Sequence, residues 1–166
     1  MRPLILSGGP AVGKSTCARA LSAGRVRAAC IDVDDLRQLV VAGAATLWTG
    51  EEGVDQLLLS ARNAAALARN FLANGFDVVI ADFVTPESLM TYRHQLPECF
   101  VVHLHISVEG ARERAATRRV YLSKDEFDLL HRMVVTPPAA NLIIDVEGLA
   151  PEEQLNAIRS AWERAG

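Results

Sequence analysis

Five short apolar runs alternate along the chain with longer segments in which apolar residues return every three or four positions. Pro3–Ser7, Ala28–Asp32, Phe76–Ala81, Cys99–Ile106 and Asn141–Val146 have strand length and are rich in residues that favour extended backbone, so they are predicted as strands. Between them, helical periodicity predicts helices over Ser15–Ala23, Asp35–Val41 and Glu51–Asn74, then from Pro86 to about Gln95 and from Ser107 to about Arg118. Two more follow, one after Ser123 through Met133 and one over Pro151–Ala165. The longest carries Val54, Leu57, Leu58, Ala61, Ala65, Ala68 and Leu72 on one face.

Punctuation supports these bounds. Gly24 and Asn74-Gly75 stop helices, and Thr85-Pro86 supplies an N-cap with proline at the first helical position. Thr49 with Glu52 and Ser123 with Glu126 have capping-box spacing, while Arg119–Leu122 reads as a break and Pro137-Pro138 as a loop. Strands alternating with helices imply a parallel sheet covered on both faces. With 166 residues and no repeat or linker, one α/β domain over 1–166 is expected.

The turn between the first strand and first helix carries the chemistry. Gly8-Gly9-Pro10-Ala11-Val12-Gly13-Lys14-Ser15-Thr16 matches G-x-x-x-x-G-K-[ST] in a strand–loop–helix context. Wrapping a polyphosphate requires inward-facing backbone N–H groups, and glycine lets the chain turn tightly enough to aim them. The helix that starts there offers unpaired N–H groups and the positive end of its dipole. All nine residues are therefore candidates for nucleotide contact, with Lys14 reaching the β- and γ-phosphates of ATP and the Ser15 hydroxyl meeting Mg²⁺.

Three carboxylates follow the second strand. Asp34 lies at its end, where open α/β sheets place working groups, and a carboxylate there can take the proton of an attacking hydroxyl. Asp32 and Asp35 compete for the same role. Asp82 ends the third apolar run and is a candidate second group for Mg²⁺. Arg114 and Arg118, four apart on one predicted helix face, are candidates for neutralising charge on a transferring phosphoryl group. Arg37, one turn beyond Asp34, and Trp48, on a loop with few other large apolar groups, are candidates for contact with an acceptor. His103 and His105 share a strand face without a third residue spaced as a metal ligand.

Composition narrows the partners. A net charge of −3 gives no general attraction to nucleic acid, which is disfavoured as a partner. No apolar run has the length of a membrane span, and the three scattered cysteines read as reduced thiols, so a cytoplasmic protein is expected, as a monomer or homodimer. Lys14 and Lys124 are the only lysines in an arginine-rich chain, which singles out Lys14. No Asn-Lys-x-Asp motif points to guanine, and there is no room for the lid domain of an oligomeric motor.

With these residues assembled, the chain resembles a small P-loop kinase of the nucleoside-monophosphate-kinase-like class. It is most similar to the chloramphenicol phosphotransferase-like and polynucleotide 5′-kinase-like branch. The phosphate loop carries most of the likeness. Asp34-Asp35-Leu36-Arg37-Gln38 resembles the polynucleotide kinase run in which the first Asp is the base and the Arg binds a substrate phosphate. Arg114, Arg118 and the later Arg132-Met133 resemble that family's lid, and Asp82-Phe83 and Ile144-Asp145 have counterparts in chloramphenicol phosphotransferases. The resemblance implies a five-stranded sheet in order 2-3-1-4-5, with Asp82 beside the phosphate loop and Asp34 across an acceptor cleft. It also implies transfer of the γ-phosphate of Mg·ATP to a hydroxyl of a small-molecule acceptor. The competing reading is a nucleotide-dependent sensor that hydrolyses ATP slowly and has no acceptor.

Overall fold

In the computed structural model, residues 1–46, 48–116, 122–134 and 136–166 are described. Five parallel strands form one sheet in the order β2-β3-β1-β4-β5. They are β1 (Leu4–Gly8), β2 (Ala28–Asp32), β3 (Asp77–Ala81), β4 (Phe100–His105) and β5 (Leu142–Asp145). The expected strand order and parallel arrangement are both observed, and β1 is central, paired to β3 and β4.

Side chains alternate across the sheet with the period of a strand, and this builds two cores. Leu4, Leu6, Val79, Val102 and Leu104 point to one face. There they meet Ala18 and Leu21 of α1 (Lys14–Ala23) and Ile158 and Trp162 of α7 (Pro151–Ala165). Ile5, Val78, Ile80 and Val101 point to the other face. They pack on Ala61, Ala64, Ala65 and Ala68 of α3 (Gly50–Ala73) and on Leu89 and Tyr92 of α4 (Pro86–Gln95). The alanine stripe lets the long helix lie close to the sheet. Strands buried on both faces explain why their sequences read as unbroken apolar runs.

The remaining helices are α2 (Val33–Arg37), α5 (Val108–Ala116) and α6 (Lys124–Met133). Caps at Thr85 and Ser123 form as expected, each accepting from the backbone N–H three residues on. Ser107 Oγ likewise accepts from Gly110 N at 3.0 Å at the start of α5. Two expectations fail. The second helix begins two residues earlier than its apolar pattern suggests, because the Asp32 carboxylate accepts from Asp34 N at 3.3 Å and caps it there; it closes at Gln38. Thr49 makes no capping hydrogen bond, and Glu52 accepts instead from Gln56 Nε2 at 2.7 Å. The expected extension of α5 to Arg118, and the break starting at Arg119, lie outside the described residues.

Among the described residues no helix is long and apolar enough to cross a membrane. Trp162 closes the α1/α7 face: it is fully buried, its Nε1–H donates to Arg2 O at 2.7 Å, and the Arg25 guanidinium lies 4.6 Å from its ring centroid. Truncation there leaves a cavity and an orphaned carbonyl. Trp162→Ala is expected to lower the unfolding free energy by about 3–5 kcal/mol in urea titrations; a loss below about 1 kcal/mol would show that this face does not anchor the sheet.

Candidate functional site

The chain leaves β1 into the glycine-rich turn under tight constraint. Gly8 has φ +141°, and a Cβ there would lie 2.5 Å from the carbonyl oxygen of Leu104 on β4. Gly13, at φ +92°, is the N-cap of α1 and would direct a Cβ to 3.0 Å from Gln154 Nε2. Between them Ala11 also has a positive φ, 62°, which a side chain tolerates only when its surroundings hold it. The result is a loop that closes on itself at the start of α1. No acidic residue lies in that helix's first turn. An uncompensated helix N-terminus wrapped by a tight loop is a cradle for an anion.

Lys14 arches back over this loop, and its Nζ donates to Gly8 O at 2.9 Å and Gly9 O at 2.8 Å. Desolvation lowers its pKa to about 8, against the upward pull of Asp34 and Asp82. A cation held this way, near neutralisation and facing neutral carbonyls, is poised to gain from an anionic partner. The residues therefore fit a polyphosphate on three counts: loop geometry, helix terminus and desolvated amine.

On the β2/β3 side of the loop, four side chains meet. Asp82 follows β3 and donates its backbone N–H to Leu6 O at 3.0 Å, which sets it beside β1. It is buried. Its Oδ1 accepts from Arg37 Nη2 at 2.6 Å and from Phe83 N at 2.7 Å, while Oδ2 accepts from the Tyr92 hydroxyl at 2.7 Å. Burial pushes the Asp82 carboxyl above the usual carboxylate range, opposed by Arg37, Tyr92 and Phe83. Arg37 Nη1 reaches on to Asp34 Oδ1 at 2.5 Å, and the Asp34 side chain is 74 % exposed. Asp32 caps α2 and lies 3.7 Å from Arg19, and Asp35 is exposed.

On the α7 side a cleft of about 530 Å³ adjoins the loop. Gly13, Thr16, Arg114, Leu149, Gln154 and Leu155 are among its walls. Arg114 is tied there: Nη1 donates to Gln154 Oε1 at 2.9 Å, and Nη2 donates to Val146 O at 2.6 Å and Leu149 O at 3.3 Å. Gln154 is buried and passes the link on, donating from Nε2 to Val12 O at 2.7 Å.

The structure thus brings Lys14, Asp34, Arg37 and Asp82 into one electrostatic group around the loop, with Arg114 on the other wall. Arg118 lies outside the described residues. Trp48 is half-buried in the segment before α3, and among the described residues no hydrogen bond or ring contact joins it to Asp34, Arg37 or Asp82. Three residues at the site carry no sequence signal of their own. Tyr92 and Gln154 sit at helical positions that read as core. His131, on α6, covers Gly9 and donates from Nε2 to Pro10 O at 3.1 Å, next to the Arg132-Met133 pair that resembles a lid but singled out by no motif itself. His103 is a core residue, 3.2 Å from Ser7 Oγ, with its pKa lowered to about 4, chiefly by burial.

By sequence, the chain matches no protein-family model and no curated protein. By shape it matches solved kinases along almost its whole length. A sugar kinase from a Janibacter species superposes with a TM-score of 0.73 at 16 % identity, over 100 % of this chain and 96 % of that one. A gluconokinase from Sinorhizobium meliloti gives 0.67 at 18 %, covering 98 % and 90 %. A shikimate kinase from Acinetobacter baumannii in complex with shikimate gives 0.60 at 21 %, covering 98 % and 93 %. At these identities the likeness is one of fold: the chain has the P-loop kinase architecture.

The lowered pKa of Lys14 has a measurable consequence. A bound polyanion favours the charged amine, so binding of inorganic tripolyphosphate takes up a proton wherever the free protein has lost one, above pH about 8. Affinity is expected to fall with rising pH from there, by up to about tenfold per unit. Calorimetry in two buffers of different ionisation enthalpy reads the uptake directly, and Lys14→Met removes it. Binding that is strong and pH-independent up to about pH 9.5 would show that Lys14 does not meet the anion.

Proposed function

We propose that this protein is an ATP-dependent phosphotransferase that moves the γ-phosphoryl group of Mg·ATP to a hydroxyl of a small-molecule acceptor. The observation that carries the reading is the meeting of a polyphosphate cradle and an exposed carboxylate: Arg37 ties the exposed Asp34 to Asp82, whose backbone N–H bonds to β1 just before the loop. A cradle alone suits any nucleotide-binding protein. A solvent-facing carboxylate at its edge adds a place for an attacking hydroxyl.

The backbone N–H groups of Gly9 and of Ala11 to Thr16, with the Lys14 amine, hold the β- and γ-phosphates, and the cleft between α1 and α7 takes the nucleoside. The Ser15 hydroxyl is the first candidate to hold Mg²⁺. Asp82 has three of its roughly four lone-pair directions filled by protein donors, so it would act on the ion from one remaining direction of Oδ2. The ion, when bound, neutralises phosphate charge. Asp34 accepts the acceptor's hydroxyl proton as that oxygen bonds to the γ-phosphorus and the bond to the β-bridging oxygen breaks; ADP departs and Asp34 returns the proton to solvent. Arg114, on the nucleoside wall, supports the phosphate loop through Gln154 and Val12, and Arg118 remains a candidate for the transferring group.

The kinase neighbours named for sugar, gluconate and shikimate support an acceptor that is a small hydroxyl compound. The run Asp34-Asp35-Leu36-Arg37-Gln38 keeps the chloramphenicol and 5′-hydroxyl oligonucleotide classes in the panel to be tested.

The test is ADP release with sugars, hydroxy acids, nucleosides, antibiotics and 5′-hydroxyl oligonucleotides, in wild type and in Asp34→Asn. Stimulation by one class is expected, with Asp34→Asn slowing transfer about 10²–10⁴-fold while ATP affinity changes less than twofold. Transfer at the wild-type rate in Asp34→Asn, with loss in Asp32→Asn or Asp35→Asn, would move the base to that neighbour. ATP binding without stimulation by any class would favour the sensor reading.

A further inference from the structure

The Asp34 side chain is three-quarters exposed and belongs to a helix of five residues. A helix that short has little stiffness of its own. Its carboxylate is nevertheless fixed, because Arg37 Nη1 holds Oδ1 at 2.5 Å. What holds Arg37 lies deeper. Its Nη2 donates to Asp82, its Nε lies 3.4 Å from Ser60 Oγ, and the Ser60 hydroxyl is itself turned away to donate to Leu57 O at 2.7 Å. Asp82 is anchored in turn by the backbone N–H of Phe83 and by the hydroxyl of Tyr92, a fully buried side chain of α4. The Tyr92 hydroxyl donates to Oδ2, and with Arg37 and Phe83 N on Oδ1 it favours the ionised carboxylate against the effect of burial.

A continuous chain therefore runs from the core to the cleft: Tyr92 to Asp82, Asp82 to Arg37, Arg37 to Asp34. It joins α4, the end of β3 and α2, three elements that are separate in sequence. Only its last member faces solvent. A buried ion pair adds little to stability, because desolvation offsets most of the attraction, so fold stability alone is a weak reason to bury Asp82 and Arg37 together. Arg37 also commits each η nitrogen to a protein carboxylate, so the substrate phosphate that the likeness to polynucleotide kinases would have it grip must share the guanidinium with Asp34 and Asp82.

Resting on the phosphotransferase reading, we infer that Asp82 and Tyr92 are positioning residues for the base: they hold Arg37 so that its second η nitrogen orients Asp34 toward the phosphate loop. Guanidinium is required for this because it offers two separate nitrogens to two carboxylates, and an ammonium does not span them. The hydroxyl of Tyr92 is the part of the chain that can be removed with least disturbance, since the ring stays to fill its space.

Tyr92→Phe, Asp82→Asn and Arg37→Lys in the full chain test this, with kcat and KM on the acceptor found above, ATP affinity by fluorescence, thermal melts, and hydrogen exchange of the Arg37 side chain by nitrogen-15 NMR. In Tyr92→Phe, kcat is expected to fall about three- to tenfold with ATP affinity unchanged, and Arg37 side-chain exchange to accelerate. Arg37→Lys is expected to lose at least as much rate as Asp82→Asn although it keeps the charge. Wild-type kcat in a folded Tyr92→Phe, or full activity in Arg37→Lys, overturns the proposal, and the former does so even if Asp82→Asn fails to fold. Should the wild type bind ATP yet serve no acceptor, the kinase reading fails by itself. Arg37 exchange then decides the chain: slow in wild type and faster in Tyr92→Phe supports it, and equal rates overturn it.

Discussion

The turn out of β1 has to pass within van der Waals reach of a neighbouring strand's backbone, and much of the structure follows from that one steric condition. A Cβ at Gly8 would overlap the Leu104 carbonyl, so only glycine lets β1 run flush against β4 and still curl at once into α1. Central placement of β1 then does the rest. The strand order changes direction at the point where it sits, so segments after β2 and β3 open to one side of the loop and those after β4 and β5 to the other. Carboxylates gather on the first side, at Asp32, Asp34 and Asp82. The second side holds the mostly apolar cleft beside α7.

The two sides of the loop are built from different physics. The α7 side is shaped by packing: Gln154 is buried among apolar residues and ties Val12 and Arg114 together through neutral or singly charged hydrogen bonds. The β2/β3 side is shaped by charge. There two carboxylates share one guanidinium, leaving a net negative edge against which Lys14 sets its own charge. Such an arrangement costs stability through burial of ionised groups. It is tolerable because the sheet beneath is covered on both faces by large apolar cores.

The architecture was legible in the sequence because strands buried on both faces must be apolar throughout, and runs such as Val78-Val79-Ile80-Ala81 have no other reading once Asp82 ends them. Caps at Thr85 and Ser123 were legible because their partners lie three residues away. What stayed hidden depends on distance along the chain. Tyr92 falls at the spacing of Leu89 and Leu96 and looks like one more core residue; its hydroxyl acquires meaning only when β3 brings Asp82 against α4. Gln154 meets Val12 across 142 positions, a contact that no periodicity encodes. The early start of α2 was missed for the opposite reason. Asp32 reads in the sequence as chemistry, and its carboxylate serves as a cap. Glu52 was paired with Thr49 by spacing, yet Gln56, one turn on along the same helix, competes for it more effectively.

Lys14 shows how such a site is kept ready. An amine fully in water would have to shed its hydration before meeting phosphate, and would gain little from the meeting. Here the desolvation has already been imposed by folding, which is why its pKa falls to about 8. The carbonyls of Gly8 and Gly9 hold it in place without satisfying its charge, since they bring dipoles and no anion. In the reading proposed above, an incoming phosphate meets a cation that is already oriented and partly desolvated, and the interaction is realised at little further cost in reorganisation. The same logic applies across the loop, where Arg37 is dry and oriented but already compensated by Asp34 and Asp82. Arg37 is thus ion-paired to Asp34 and Asp82 while half-buried Lys14 donates to carbonyls, and in the reading proposed above that asymmetry leaves phosphate to Lys14 and orientation of the base to Arg37.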